Sequence, residues 1–96
     1  MSRRDRRKAM ELRLPDDLRL RLVATTDQHL PLAYLARQAL RQAFERGHGW
    51  ETAIQPGDSR PILLQLTTEE QAQLARWADQ ADSQEVAILS LIATVV

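Results

Sequence analysis

From Met10 the chain alternates: Met10, Leu12 and Leu14 are apolar, while Glu11 and Arg13 between them are charged. That period of two predicts a half-buried strand. Pro15-Asp16-Asp17 ends the alternation and suits a helix start, with proline pre-set for the first turn and both carboxylates at the positive end of the helix dipole. The first helix is expected from about Pro15 to Asp27, burying Leu18 and Leu22, which stand four residues apart. Leu18, Leu20 and Leu22 would also suit a longer strand, but the Pro-Asp-Asp start and the Arg and Ala content favour the helix. After His29-Leu30-Pro31 a second helix is expected, about Pro31 to Arg46. Its apolar positions Leu32, Leu35, Ala36, Ala39, Leu40, Ala43 and Phe44 make the strongest helical stripe in the chain, and Gly47 supplies a stop. Gly49 to Ser59, with Pro56-Gly57-Asp58-Ser59, reads as a linker or turn. Trp50 and Ile54 are too apolar for a purely solvated linker, so part of it should pack down.

The pattern then begins again. Ile62, Leu64 and Leu66 alternate with Leu63 and Gln65 as a second strand, and Thr67 with Glu70 has capping-box spacing. A helix with Leu74, Trp77, Ala78 and Ala81 follows, and a last helix rich in Val, Ile and Leu is expected from Ser83 to Val96. A shift of 52 residues lays Leu12 on Leu64, Leu14 on Leu66, Pro15 on Thr67, Leu22 on Leu74, Pro31 on Ser83 and Leu40 on Ile92 without insertion. This is the signature of an internal duplication resting on pattern rather than identity. The expected organisation is an arm over 1–8, a strand-helix-helix unit over 9–47, a linker over 48–60 and a second unit over 61–96. Two helices over one strand cannot bury their apolar faces, so the units must pair. Antiparallel pairing of the strands would turn Leu12, Leu14, Leu64 and Leu66 inward. The fold class expected is therefore mainly α, with a short two-stranded antiparallel β-ribbon in the order β-α-α-β-α-α. Pairing within one chain is favoured by the linker, at an effective concentration in roughly the millimolar range, and a homodimer on DNA stays open.

Composition narrows the function. At 96 residues the chain has little room for a deep cleft, and no Ser, His and Asp grouping or Gly-rich phosphate loop is legible, so an enzyme is not expected. Hydrophobic residues are 44% but aromatic ones only 4%, which calls for a core of Leu, Ala, Ile and Val. Without cysteine, only His29 and His48 remain as nitrogen ligands, so no metal or other cofactor is expected. No apolar run approaches 18 residues and the basic start has no apolar segment behind it, which points to a cytoplasmic protein with no membrane partner. The net charge of zero hides a division: residues 1–48 hold 11 Lys/Arg and 6 Asp/Glu, or +5, and residues 49–96 hold 2 and 7, or −5. Only the first half suits a polyanion, above all the basic run Arg3, Arg4, Arg6, Arg7 and Lys8; its bland alternative is a solvated tail.

Glu11-Leu12-Arg13-Leu14-Pro15-Asp16-Asp17-Leu18 resembles the ribbon-helix-helix family of Arc, MetJ and the CopG-like regulators, and Leu35-Ala36-Arg37-Gln38-Ala39-Leu40 resembles that family's second helix. The resemblance covers Ala9 to about Arg46 well and Arg60 to Val96 more weakly, and the tandem form resembles the TraY-type conjugation accessory proteins. It implies double-stranded DNA as the partner, with the ribbon in the major groove and its outward positions reading bases. Those positions are Ala9, Glu11 and Arg13 in the first strand and Pro61, Leu63 and Gln65 in the second. Arg13 would take guanine O6 and N7, Gln65 adenine, Glu11 cytosine N4, and Leu63 a thymine methyl, unless Leu63 is buried between two faces. The family also holds phosphates on backbone amides where the second helix begins, here Pro31-Leu32-Ala33 and Ser83-Gln84-Glu85. Pro31 lacks an amide hydrogen and Glu85 would repel phosphate, which shifts electrostatic work to the arm through Arg3, Arg4, Arg6, Arg7 and Lys8, with Leu32 and Ala33 beside them.

Two further expectations are small: His29 serves as a cap or exposed residue, and Trp77 belongs to the core. Tyr34 reaches a phosphate or packs at the centre of the pair. The functional expectation is a repressor or plasmid accessory factor. Its alternative is an antitoxin whose basic half binds operator DNA and whose acidic, apolar half masks a toxin protein. A helical adaptor that dimerises through its strands, with no DNA, is the third reading.

Overall fold

A computed structural model describes residues 8–96, Lys8 in its backbone alone, so the arm residues Arg3, Arg4, Arg6 and Arg7 and the Lys8 side chain lie outside what it describes. The elements run β1 (Lys8–Leu12), α1 (Asp16–Val23), α2 (Leu32–Arg46), β2 (Ile62–Leu66), α3 (Thr68–Ala78) and α4 (Gln84–Ala93). β1 and β2 form one two-stranded antiparallel sheet within the chain, with Lys8 opposite Leu66, Ala9 opposite Gln65, Met10 opposite Leu64, Glu11 opposite Leu63 and Leu12 opposite Ile62. The fourth of these pairs, Glu11 and Leu63, stands 63 − 11 = 52 residues apart, the same interval as the shift that aligns the two halves in the sequence pattern.

The alternation places its apolar side as expected: Leu12, Leu14, Leu64 and Leu66 are buried, and Met10 and Ile62 are half-buried against them. β1 starts at Lys8, the last residue of the expected arm, and stops at Leu12, although Leu14 still points into the core beyond the strand end. α1 buries Leu18 and Leu22 but ends at Val23 rather than near Asp27. The cause is local, because Thr25 Oγ1 donates to the Leu22 carbonyl at 2.6 Å and the Gln28 amide donates to Thr26 Oγ1 at 3.1 Å. Threonine hydroxyls there offer the backbone an alternative to another helical turn. α2 buries the stripe Leu35, Ala36, Ala39, Leu40 and Ala43, and Gly47 closes it in the left-handed region at φ 70°, where a Cβ is disfavoured. The capping box of α3 forms: Glu70 N donates to Thr67 Oγ1 at 3.2 Å and Thr67 N to Glu70 Oε1 at 2.8 Å.

α4 lies at the centre of the molecule, buried at every position from Val86 to Ile92, and it ends at Ala93 rather than Val96. α2 packs against α4 and β2, while α4 packs in turn against α3 and β1, so each half covers the strand of the other. The linker explains why α4 is apolar all round and α2 is not. Trp50 and Ile54 pack onto the core, the Ile54 amide donates to the buried Ser90 hydroxyl at 2.9 Å, and Trp50 meets Trp77 with ring centroids 6.0 Å apart. Further on, Gly57 N donates to the Arg13 carbonyl at 3.0 Å and Ser59 Oγ to the Leu14 carbonyl at 2.8 Å. Residues 48–60 hold no helix or strand, yet they cover the α4 face that solvent would otherwise meet.

Candidate nucleic-acid interface

The pleat that buries the leucines turns the intervening side chains to the opposite face. Ala9, Glu11, Arg13, Leu63 and Gln65 are all exposed there, and Pro61 is half-exposed. Leu63 is 60% exposed, so β2 is not buried on both faces and the chain presents a large apolar side chain to solvent at the ribbon centre, opposite Glu11. Ala9 sits across from Gln65, and Arg13 lies just past the end of β1, so this face mixes one acid, one base, one amide and one leucine.

The backbone of Arg13 is held on both sides. Its amide donates to Glu85 Oε2 at 2.7 Å and its carbonyl accepts from Gly57 N, which fixes where the guanidinium leaves the chain. Glu85 stands in the first turn of α4, so the start of that helix already has a carboxylate, and Ser83 Oγ accepts from Val86 N at 3.2 Å. The start of α2 is different. Pro31 provides no side-chain cap, and Ala33 occupies the position equivalent to Glu85 at the 52-residue interval, so the amides of Leu32 and Ala33 have no carboxylate of their own there. Of the two helix starts expected to meet phosphate, that of α4 has a carboxylate in its first turn and that of α2 has none.

Tyr34, also in the first turn of α2, is 48% exposed and accepts from Gln38 Nε2, so it is not packed at the molecular centre. Trp77 packs half-buried against the core, and His29 and His48 are exposed. Sequence reasoning missed two features beside the ribbon: the Glu85 bond to the Arg13 amide and the linker strap over residues 13–15. Neither has a local signal, since 72 residues separate Glu85 from Arg13. Among the described residues no helix is long and apolar enough to cross a membrane. Comparison with protein families, curated proteins and solved structures found no match to this chain.

Proposed function

We propose that the protein binds double-stranded DNA sequence-specifically as a tandem ribbon-helix-helix regulator, its two units paired within one chain and its ribbon seated in the major groove. One observation carries the reading: a two-stranded antiparallel ribbon lies over four helices with all its leucines but one turned inward and Ala9, Glu11, Arg13, Leu63 and Gln65 free outside. A two-stranded ribbon fits a major groove about 12 Å wide, and Arg and Gln are side chains able to read guanine and adenine by bidentate hydrogen bonds. The two halves of the ribbon differ at every outward position, so the preferred site is not a perfect palindrome. Glu11 and Arg13 cancel on the described face, so the electrostatic share of affinity falls to Arg3, Arg4, Arg6, Arg7 and Lys8 and to the open start of α2 at Leu32 and Ala33. The biological role fitting this binding mode is transcriptional repression or marking of a plasmid site.

Selection of bound sequences from random duplex DNA, with salt dependence measured on the winner, tests the proposal. An asymmetric consensus with affinity falling steeply with salt is expected. Absence of salt-sensitive duplex binding overturns it in favour of a helical adaptor. The antitoxin alternative needs the apolar part of the second half on the surface, but Val86 to Ile92 are buried, which weighs against it.

A further inference from the structure

Arg37 on α2 meets Glu70 on α3 across the two halves, with Nη2 3.4 Å from Oε1, and Arg41 Nε lies 4.0 Å from the other carboxylate oxygen. The pair is largely withdrawn from solvent, the side chains being 28% and 11% exposed, and Arg37 Nε is buried with no hydrogen-bond partner. Such a pair is a poor source of stability, because desolvation offsets much of the attraction and one donor stays unsatisfied. At the 52-residue interval the equivalents are Leu89 for Arg37 (37 + 52) and Leu18 for Glu70 (70 − 52), both buried in the core. α1 reaches the C-terminal end of α4 through Arg21, whose Nη2 donates to the Ala93 carbonyl at 3.1 Å. One half of the molecule thus has an ion pair where the other has two leucines.

We infer that the Arg37–Glu70 pair is a specificity element that selects pairing between unlike halves and rejects pairing between like halves of two chains. The inference rests on the tandem reading of the fold. If two first units paired, each Arg37 would face Leu18 of the other chain. If two second units paired, each Glu70 would face Leu89. Either arrangement strands two charges against leucine, whereas unlike pairing matches charge with charge and leucine with leucine. A single polar pair placed to set register or partner is an established use of buried charge.

The test uses the full chain, which has no cysteine of its own. In an E11C variant the thiol faces Leu63 when unlike halves pair, but faces its own counterpart when two first units pair, so interchain disulfide reports like pairing. The proteins are refolded from urea at about 1 mM, near the effective concentration a short linker provides. E11C should stay monomeric after oxidation. Adding R37L/E70L, which makes this corner leucine on leucine, should raise crosslinked dimer by about tenfold or more, since stranding a buried charge no longer penalises like pairing. R37L/E70Q, which keeps an acceptor for the Thr67 amide, should do the same. The reversed pair R37E/E70R also disturbs the cap but preserves complementarity, and should remain monomeric. The inference is overturned if the leucine variants give no more dimer than E11C, if the reversed pair dimerises equally, or if both leucine variants fail to fold, which would make the pair a stabilising element. The E11C/L63C variant separates the tandem reading itself, whose failure would show as no disulfide within one chain.

Discussion

Arg13→Ala is the perturbation that bears most directly on DNA reading. The guanidinium is exposed, and no described side chain pairs with it. The backbone at Arg13 is fixed by Glu85 and Gly57 through groups that alanine retains. Stability should therefore change by no more than about 0.5 kcal/mol, the usual range for a surface substitution away from special features. Loss of a bidentate guanine contact costs about 1–3 kcal/mol, or roughly 5- to 150-fold in affinity. Position 65, its equivalent at the 52-residue interval (13 + 52), is glutamine, so the loss should fall on one base position per ribbon rather than on two related by symmetry. The assay is fluorescence anisotropy on the selected duplex and on its single-base variants, with thermal melts run in parallel. Retention of the parent's full preference at every position, or a uniform loss across all sequences, would refute base reading and leave Arg13 as a bystander or a phosphate contact.

Removing residues 1–7 takes away four arginines and leaves β1 whole, so it should weaken specific and non-specific binding together and reduce the log–log salt slope by up to about 3–4; an unchanged slope would make the arm passive. Gly57→Ala would bring a Cβ to 2.8 Å from Pro15 Cα and 3.0 Å from the Leu14 carbonyl, backbone atoms with little room to yield. A loss of about 1–3 kcal/mol in urea denaturation is expected, and no loss would mean the strap is not held against the end of β1. Leu63→Gln should leave the urea midpoint nearly unchanged, since the side chain is 60% exposed, while altering base preference at the centre of the site; a large fall in stability would contradict its outward placement.

The local pattern determined the elements. Period-two alternation marked both strands, the α2 stripe and Gly47 marked the longest helix and its end, and Thr67 with Glu70 marked a cap that forms as the spacing requires, because each of these acts over a few residues. The same pattern separated the leucines beneath the ribbon from Ala9, Glu11, Arg13, Leu63 and Gln65 above it, although whether Leu63 lay inside or outside was settled only by its neighbours. α1 ends four residues before the periodicity predicts, since threonine hydroxyls competing for backbone groups outweigh helix periodicity near a terminus. What tertiary structure alone decided lies between distant segments: that β1 pairs with β2 of its own chain, that the linker covers α4, that Glu85 takes the Arg13 amide, and that Arg37 meets Glu70. These depend on which surfaces meet when the apolar faces close against each other. A sequence read by local periodicity specifies the faces, and only their packing specifies the partners.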